Sequence, residues 1–153
     1  MLMPVKKPSG HKLRTGRVSL QNQIYLVTFV TDGRKHRFTN LQIARIMVNS
    51  LKSSRQATTL AFVVMPDHVH WLIQLLDDVS LSRVIHMAKS MSAHRLNKFL
   101  MRKGRFWQSG YHDHALRKEE EIKTAARYII SNPVRAGMVA SVKDYPHWDA
   151  IWI

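Results

Sequence analysis

Two histidines separated by one residue, His68 and His70, are the first candidates for chemistry. Both lie in the run His-Val-His-Trp-Leu-Ile, where they interrupt an apolar segment that is typical of a strand. Because side chains alternate along a strand, both imidazoles share one face, and Val69 and Trp71 share the other. Two imidazoles at this spacing can chelate one divalent metal ion. We therefore predict a metal site; the alternative is a pair of hydrogen-bonded polar residues.

Tyr128 and Asn132 form the second constellation, near the end of a predicted helix. Residues four apart are neighbours on one helical face. A tyrosine hydroxyl can attack a phosphodiester whose charge is neutralised by a metal, and an amide oxygen can join two imidazoles as a ligand. The alternative is an ordinary half-buried tyrosine and a cap residue. Tyr111 is the rival nucleophile, but it has no amide four residues later.

A second His-x-His pattern, His112-Asp113-His114, includes a carboxylate and is a possible secondary site. It lies on a short predicted edge strand. We favour contact with DNA or a structural role for His112 and His114 over metal binding.

Charge is the strongest bulk signal. The 153 residues include 24 Lys and Arg against 10 Asp and Glu, a formal net charge of +14, which favours a polyanionic partner, above all nucleic acid. Between Asp78 and Asp113 there is no acidic residue. The candidate DNA contacts are Arg14 and Arg17 in a basic N-terminal arm of about residues 1–20, and Arg83, Lys89, Arg95, Arg102, Lys103, Arg105 and Trp107. Trp107, with Phe106, is a candidate for stacking on unpaired bases, with core packing as the alternative.

Other classes of protein are disfavoured by composition. The chain has no cysteine, which excludes thiolate metal sites, disulfides and cysteine nucleophiles. It contains neither an apolar run of membrane-spanning length nor a signal-peptide pattern, so we expect a cytoplasmic protein without membrane partners. The length predicts one domain over residues 1–153.

Hydrophobic periodicity predicts the elements that must position these residues. Strands are expected over residues 24–31, 58–65, 68–75 and 112–117, and helices over 41–53, 81 to about 101, and 119–132, where Pro133 ends the last. The order β-α-β-β-α-β-α indicates an α+β fold, a ferredoxin-like split βαβ sheet with an added C-terminal helix that carries the tyrosine. The third strand is then central, and the added helix covers the face that bears the histidines. The stretch from Pro146 to Ile153 has no clear period.

These motifs resemble a known family. The phrases His68-Val69-His70, Phe106-Trp107-Gln108 and Tyr128-Ile-Ile-Ser-Asn-Pro-Val-Arg-Ala-Gly137 are similar to those of the single-tyrosine HUH transposases, most of all the REP-associated tyrosine transposases of bacteria. The resemblance spans roughly residues 14–145. Related insertion-sequence enzymes commonly have Gln four residues after the tyrosine, so the Asn here favours the REP-associated branch.

The resemblance implies an enzyme with a ferredoxin-like core that recognises DNA hairpins and cleaves nearby single-stranded DNA. It implies Tyr128 as the nucleophile, with a 5′-phosphotyrosine intermediate and a 3′-hydroxyl product. It also implies His68, His70 and Asn132 as ligands of Mg²⁺ or Mn²⁺, and a monomer or homodimer in a bacterial, nucleoid-associated setting.

Two other functions fit parts of the same sequence. A non-catalytic module that binds single-stranded nucleic acid is one, since ferredoxin-like sheets also serve as RNA platforms. A metal-dependent hydrolase without a covalent step is the other.

Overall fold

The structure is a computed structural model that describes residues 23–76 and 78–152. The strands are β1 (Ile24–Val30), β2 (Ala57–Val64), β3 (His68–Leu75), β4 (His112–Leu116) and β5 (Trp148–Ala150). The helices are α1 (Leu41–Lys52), α2 (Leu81–Leu100), α3 (Glu119–Ile130) and the single turn α4 (Asn132–Arg135), with 3-10 turns at Asp32–Arg34 and Val142–Asp144. None of the helices in the described part of the chain is long and apolar enough to cross a membrane.

The five strands form one antiparallel sheet in the order β4-β1-β3-β2-β5. Its first four strands have the order and directions of a split βαβ sheet, so the predicted fold class is confirmed, and β3 is central as expected. The connection between β2 and β3 is tight, because Met65 N donates to His68 O at 2.8 Å and closes the hairpin. Pro66 is tolerated within this turn because its missing N–H leaves no donor that would need a partner.

Side-chain caps begin α1 and α2. The side chain of Asn40 accepts hydrogen bonds from the backbone N–H groups of Gln42 and Ile43, and that of Ser80 accepts one from Arg83. Each cap satisfies N–H groups that have no partner within the helix.

The two faces of the sheet are covered by different helices. Val69, Trp71, Ile73 and Leu75 point into a core shared with α1 and α2. Leu72, from the opposite face of β3, packs with Ile122, Ala126 and Ile129 of α3. The prediction that the last helix covers the face bearing the histidines is therefore confirmed.

Two features near the C-terminus differ from the sequence prediction. The stretch without a clear period contains β5, which pairs with β2 through Ala61↔Ala150 and Val63↔Trp148. Helix α3 ends at Ile130, and Pro133 lies in the first turn of the separate helix α4 instead of terminating α3. Proline is tolerated there because the first N–H groups of a helix need no intrahelical partner.

Candidate active site

His68 and His70 lie side by side on the α3-covered face of β3. Their ring centroids are 4.8 Å apart and the ring planes meet at 80°. Both side chains are half-buried, while Val69 between them is fully buried on the opposite face. The strand alternation that predicted a shared face for the two imidazoles is thus present in the structure.

Each imidazole is oriented by a hydrogen bond at Nδ1. The Nδ1 of His68 is 2.7 Å from Oδ1 of Asp67, and the Nδ1 of His70 is 2.7 Å from the hydroxyl oxygen of Thr28. With both Nδ1 atoms engaged, the Nε2 atoms are the ones available to a ligand. Burial, with the charges of His68 and Arg135, lowers the pKa of His70 to about 4, so this ring is neutral at physiological pH.

Asp67 is itself held in place. Its Oδ2 lies 3.2 Å from Nε of Arg34. Burial acts to raise the pKa of Asp67, but the hydrogen bond from His68 and the charges of His68, Arg34 and His36 together hold that pKa below its usual value. The carboxylate is therefore ionised, which favours an N–H on Nδ1 of His68 and a lone pair on its Nε2.

A strained turn carries Arg34 to this carboxylate. Gly33 and Arg34 both have left-handed backbone conformations, with φ of 67° and 51°. This region is unfavourable for a residue with a Cβ. Thr31 anchors the turn, since its N–H donates to Asp67 O at 2.9 Å and its hydroxyl contacts Lys35 O at 2.7 Å.

Tyr128 and Asn132 meet the histidine pair from α3 and α4. The ring centroid of Tyr128 lies 6.1 Å from that of His70, and Nδ2 of Asn132 lies 3.4 Å from Nε2 of His68. Rotation of the amide by about 180° exchanges its nitrogen and oxygen and presents Oδ1 to the same space. Tyr128 is 51% exposed, so its hydroxyl is accessible to a large substrate.

The donor atoms present are compatible with one divalent cation. Two imidazoles and an amide side chain converge there, whereas no group of three His, Cys, Asp or Glu side chains within residues 23–76 and 78–152 could hold a metal ion. A set of three protein ligands leaves coordination positions for water and a phosphate oxygen.

Arg135 is a part of the site that sequence reasoning missed. Its guanidinium carbon lies 4.0 Å from the centroid of the Tyr128 ring, a cation–π contact. Its spacing of seven residues from Tyr128 and three from Asn132 is a signal that places all three on one helical face. Asp67 and Thr28 were missed as well. Asp67 could have been found because it is adjacent to His68 in the chain, whereas only the pairing of β1 with β3 places Thr28 beside His70.

Tyr111, the rival nucleophile, lies elsewhere. Its hydroxyl is 3.0 Å from that of Ser82 on α2, and its ring packs against the core beneath α1 and α2. The sheet therefore separates Tyr111 from His68 and His70.

The second His-x-His motif lies on β4, at one edge of the sheet. His112 pairs with Thr28 and His114 with Leu26, so both exposed imidazoles lie on the face that bears His70, while Asp113 alternates to the other face. The carboxylate is thus not positioned beside the two rings, and DNA contact by His112 and His114 stays a prediction.

Most of the residues predicted to contact DNA on α2 and the following loop are at the surface, but some of them already form hydrogen bonds within the protein. Lys89 donates to Gln108 O and Gly110 O at 2.7 Å each, and Arg102 donates to Asn97 Oδ1 at 2.5 Å. The guanidinium of Arg95 lies 3.4 Å from Ser50 Oγ. Arg83, Lys103 and Arg105 are exposed, and Arg14 and Arg17 lie outside the described residues.

The expected stacking of Trp107 on bases is wrong for this conformation. Trp107 is 5% exposed, and its indole N–H donates to the buried Ser92 hydroxyl at 3.0 Å. Phe29 and Phe38 contact its ring. The alternative of core packing is correct because the segment after Arg105 turns inward and bridges to Thr31.

Comparison with known proteins identifies the family. The model of the family described as "Transposase IS200 like" matches residues 19–132, a stretch that holds the histidine pair and ends at Asn132. The chain belongs to the IS200-like transposase family. A REP-associated tyrosine transposase of Escherichia coli strain K12 is 31% identical over 110 residues, covering 71% of this chain and 63% of that protein. A Haemophilus influenzae protein provisionally given the same name is 28% identical over 141 residues, covering 81% of this chain and 77% of its own length.

Solved structures agree on the fold of this IS200-like transposase. A REP-associated tyrosine transposase bound to a REP hairpin superposes with a TM-score of 0.71 at 21% identity, covering 96% of this chain and 82% of that one. This likeness shows the fold, while the likeness in sequence to the curated relatives favours the REP-associated branch of the family.

Proposed function

We propose that this IS200-like transposase cleaves and rejoins single-stranded DNA next to hairpins, such as REP-like palindromes, through a covalent bond to Tyr128. The observation that carries this proposal is the convergence of four side chains from three elements. Tyr128 and Asn132, which follow β4 in the chain, lie against His70 and His68 of the central strand β3.

A divalent ion, Mg²⁺ or Mn²⁺, would be held by Nε2 of His68, Nε2 of His70 and the amide oxygen of Asn132. When bound, such an ion polarises a phosphate oxygen and neutralises charge that develops during attack. The protein contributes the orientation of the ligands: Asp67 and Thr28 fix the two rings at Nδ1, and the lowered pKa of His70 keeps its ring unprotonated.

The chemical step uses the Tyr128 hydroxyl oxygen as the nucleophile. That oxygen forms a bond to phosphorus as the bond between phosphorus and the 3′ oxygen breaks. The phenolic proton passes to solvent, and the departing 3′ oxygen takes up a proton, so the products are a 5′-phosphotyrosine and a free 3′-hydroxyl. Attack by a 3′-hydroxyl on the phosphotyrosine reverses the step and joins strands without an external energy source.

Charge and accessibility support DNA as the substrate. The net charge of +14 favours a polyphosphate, and the exposed Tyr128 can receive a strand that crosses the sheet surface beside α3. The similar solved structure is of a protein bound to a REP hairpin, which supports a hairpin as the element recognised here.

The test is covalent trapping. The full chain is mixed with Mn²⁺ and single-stranded DNA that carries a hairpin and a 5′ or 3′ label, then denatured and separated by size. We expect a protein–DNA adduct that Tyr128→Phe abolishes and Tyr111→Phe retains. If the protein binds hairpin substrates but cleaves none of them, the non-catalytic module is favoured. If it cleaves DNA in a metal-dependent reaction without forming an adduct, the hydrolase is favoured.

A further inference from the structure

We propose that Arg135 is a further catalytic residue that binds the scissile phosphate beside Tyr128. This inference rests on the proposed function and adds to it the group that neutralises the phosphate on the side of the nucleophile.

The guanidinium of Arg135 is fixed above the phenol ring. Its carbon lies 4.0 Å from the ring centroid of Tyr128, while Nη1 donates to Tyr128 O at 2.8 Å and also to the hydroxyl of Ser131. Nη2 lies 3.4 Å from Oδ1 of Asn132. One side chain thus contacts both the residue proposed as the nucleophile and a residue proposed as a metal ligand.

Local sequence explains why this side chain folds back. Helix α3 ends at Ile130 with Ser131 as its C-cap, and α4 begins at once with Asn132 and Pro133, so Arg135 falls one turn beyond the last carbonyls of α3. Those carbonyls have no partner within the helix, and a cation near them is favourable. The same bend directs the guanidinium toward the exposed face of Tyr128.

The charge of Arg135 is not paired with a carboxylate among the residues that the structure describes. A guanidinium has five N–H donors, and the hydrogen bonds from Nη1 to Tyr128 and Ser131 use two of them. When the Asn132 amide turns its oxygen toward the metal position, Nη2 loses its contact with Oδ1 and is free, with Nε, to bind an anion.

A phosphodiester is the anion that fits this position. A phosphorus atom under attack by the Tyr128 hydroxyl carries non-bridging oxygens whose negative charge increases in the transition state. Guanidinium binds such oxygens in a bidentate manner and remains charged at all physiological pH values. A positioned donor of this kind contributes most where charge develops.

The test compares two substrates and two arginines. Adduct formation is measured in single turnover with the natural phosphodiester and with a methylphosphonate at the scissile position, which removes the negative charge. The variants are Arg135→Ala, Arg135→Lys and the control Arg127→Ala, which removes an exposed arginine of α3 next to Tyr128.

On the phosphodiester we expect Arg135→Ala to slow adduct formation about 100-fold or more. The rate should recover in part in Arg135→Lys, or when guanidinium ion is added to Arg135→Ala. The rate of Arg127→Ala should stay within about threefold of wild type. On the methylphosphonate the defect of Arg135→Ala should shrink to below about tenfold, because there is no charge left to neutralise.

An equal defect on both substrates would overturn the inference and assign Arg135 a structural role in holding Tyr128. A rate for Arg135→Ala equal to that of Arg127→Ala would overturn it too, while leaving the proposed function intact. Absence of any adduct with the wild-type chain would reject the proposed function, and this inference with it.

Discussion

The Nδ1 atom of His68 lies 2.7 Å from a carboxylate oxygen of Asp67, the residue that immediately precedes it in the chain. Neighbouring residues on a strand point to opposite faces, so this contact requires the chain to leave the regular β conformation. Pro66 and Asp67 form the bend between β2 and β3, and there the carboxylate can reach the ring. The hairpin turn thus orients the first histidine of the pair.

Asp67→Asn should weaken metal binding. The amide carries no charge to support the N–H on Nδ1 of His68, and loss of such an outer carboxylate typically lowers metal affinity about 10- to 100-fold. Titration of the full chain with Mn²⁺ in a calorimeter measures the effect. Asp78→Asn, an exposed acid in the turn before α2, is the matched control and should bind as wild type. Equal affinities in both variants would show that Asp67 does not support the ligand.

Thr28→Val should act on the other ring. Valine has nearly the shape of threonine but lacks the hydroxyl that lies 2.7 Å from Nδ1 of His70. We expect Mn²⁺ affinity to fall about tenfold in Thr28→Val and to be largely retained in Thr28→Ser, which keeps the hydroxyl. The same calorimetric titration tests both. A serine variant as weak as the valine variant would indicate that packing of the methyl group, not the hydrogen bond, orients His70.

Trp107→Ala should destabilise the fold, because the indole fills the core between β1 and α2. Removal of a buried tryptophan costs about 3–5 kcal/mol of unfolding free energy. Lys103→Ala, an exposed cation in the same loop, should change it by less than about 0.5 kcal/mol. Urea denaturation followed by circular dichroism measures both. Unchanged stability of Trp107→Ala with weakened DNA binding would restore the stacking interpretation.

Tyr145→Phe tests the packing of the C-terminal segment on the sheet. The buried Tyr145 hydroxyl donates to Val64 O at 2.6 Å, so its loss should lower the free energy of unfolding by about 1–3 kcal/mol at pH 7. Tyr128→Phe is the control, since that side chain is 51% exposed, and it should have little effect on stability.

The difference in free energy of unfolding between wild type and Tyr145→Phe should depend on pH, with a definite sign. Burial raises the pKa of Tyr145 to about 12, above the value of about 10 for an unfolded tyrosine. Stability from the hydroxyl is therefore fully present below about pH 10 and is lost as pH rises through about 12. The gap between wild type and Tyr145→Phe should narrow over that interval. A gap that widened would show that the hydroxyl is not buried as a donor.

The order of elements and the face of the histidine pair were predictable because they depend on local periods. Alternation along His68–Leu75 separates the two imidazoles from Val69 and Trp71, and helical spacing places Tyr128 near Asn132. The split βαβ order then leaves only one face of the sheet for the last helix. Local patterns combined with a simple topology were sufficient to bring the site together.

The remaining features depend on contacts between distant segments. Strand β5 has three residues, too few for any period, and exists because β2 offers it an edge. Trp107 follows a run of cations that indicates a surface, yet Gln108 N donates to Val30 O and draws the segment against β1. The Arg34–Asp67 pair joins two turns that no short-range pattern connects.

Mass spectrometry of the trapped adduct shows whether Tyr128 becomes covalently joined to DNA at the His68–His70 site. After nuclease and trypsin digestion, Tyr128 and Tyr111 fall in different peptides, since Arg117, Lys118, Lys123 and Arg127 lie between them. We expect a nucleotide phosphate on Tyr128 that disappears in His68→Ala and in His70→Ala. A phosphate on Tyr111, or an adduct at Tyr128 that persists without both histidines, would contradict this expectation.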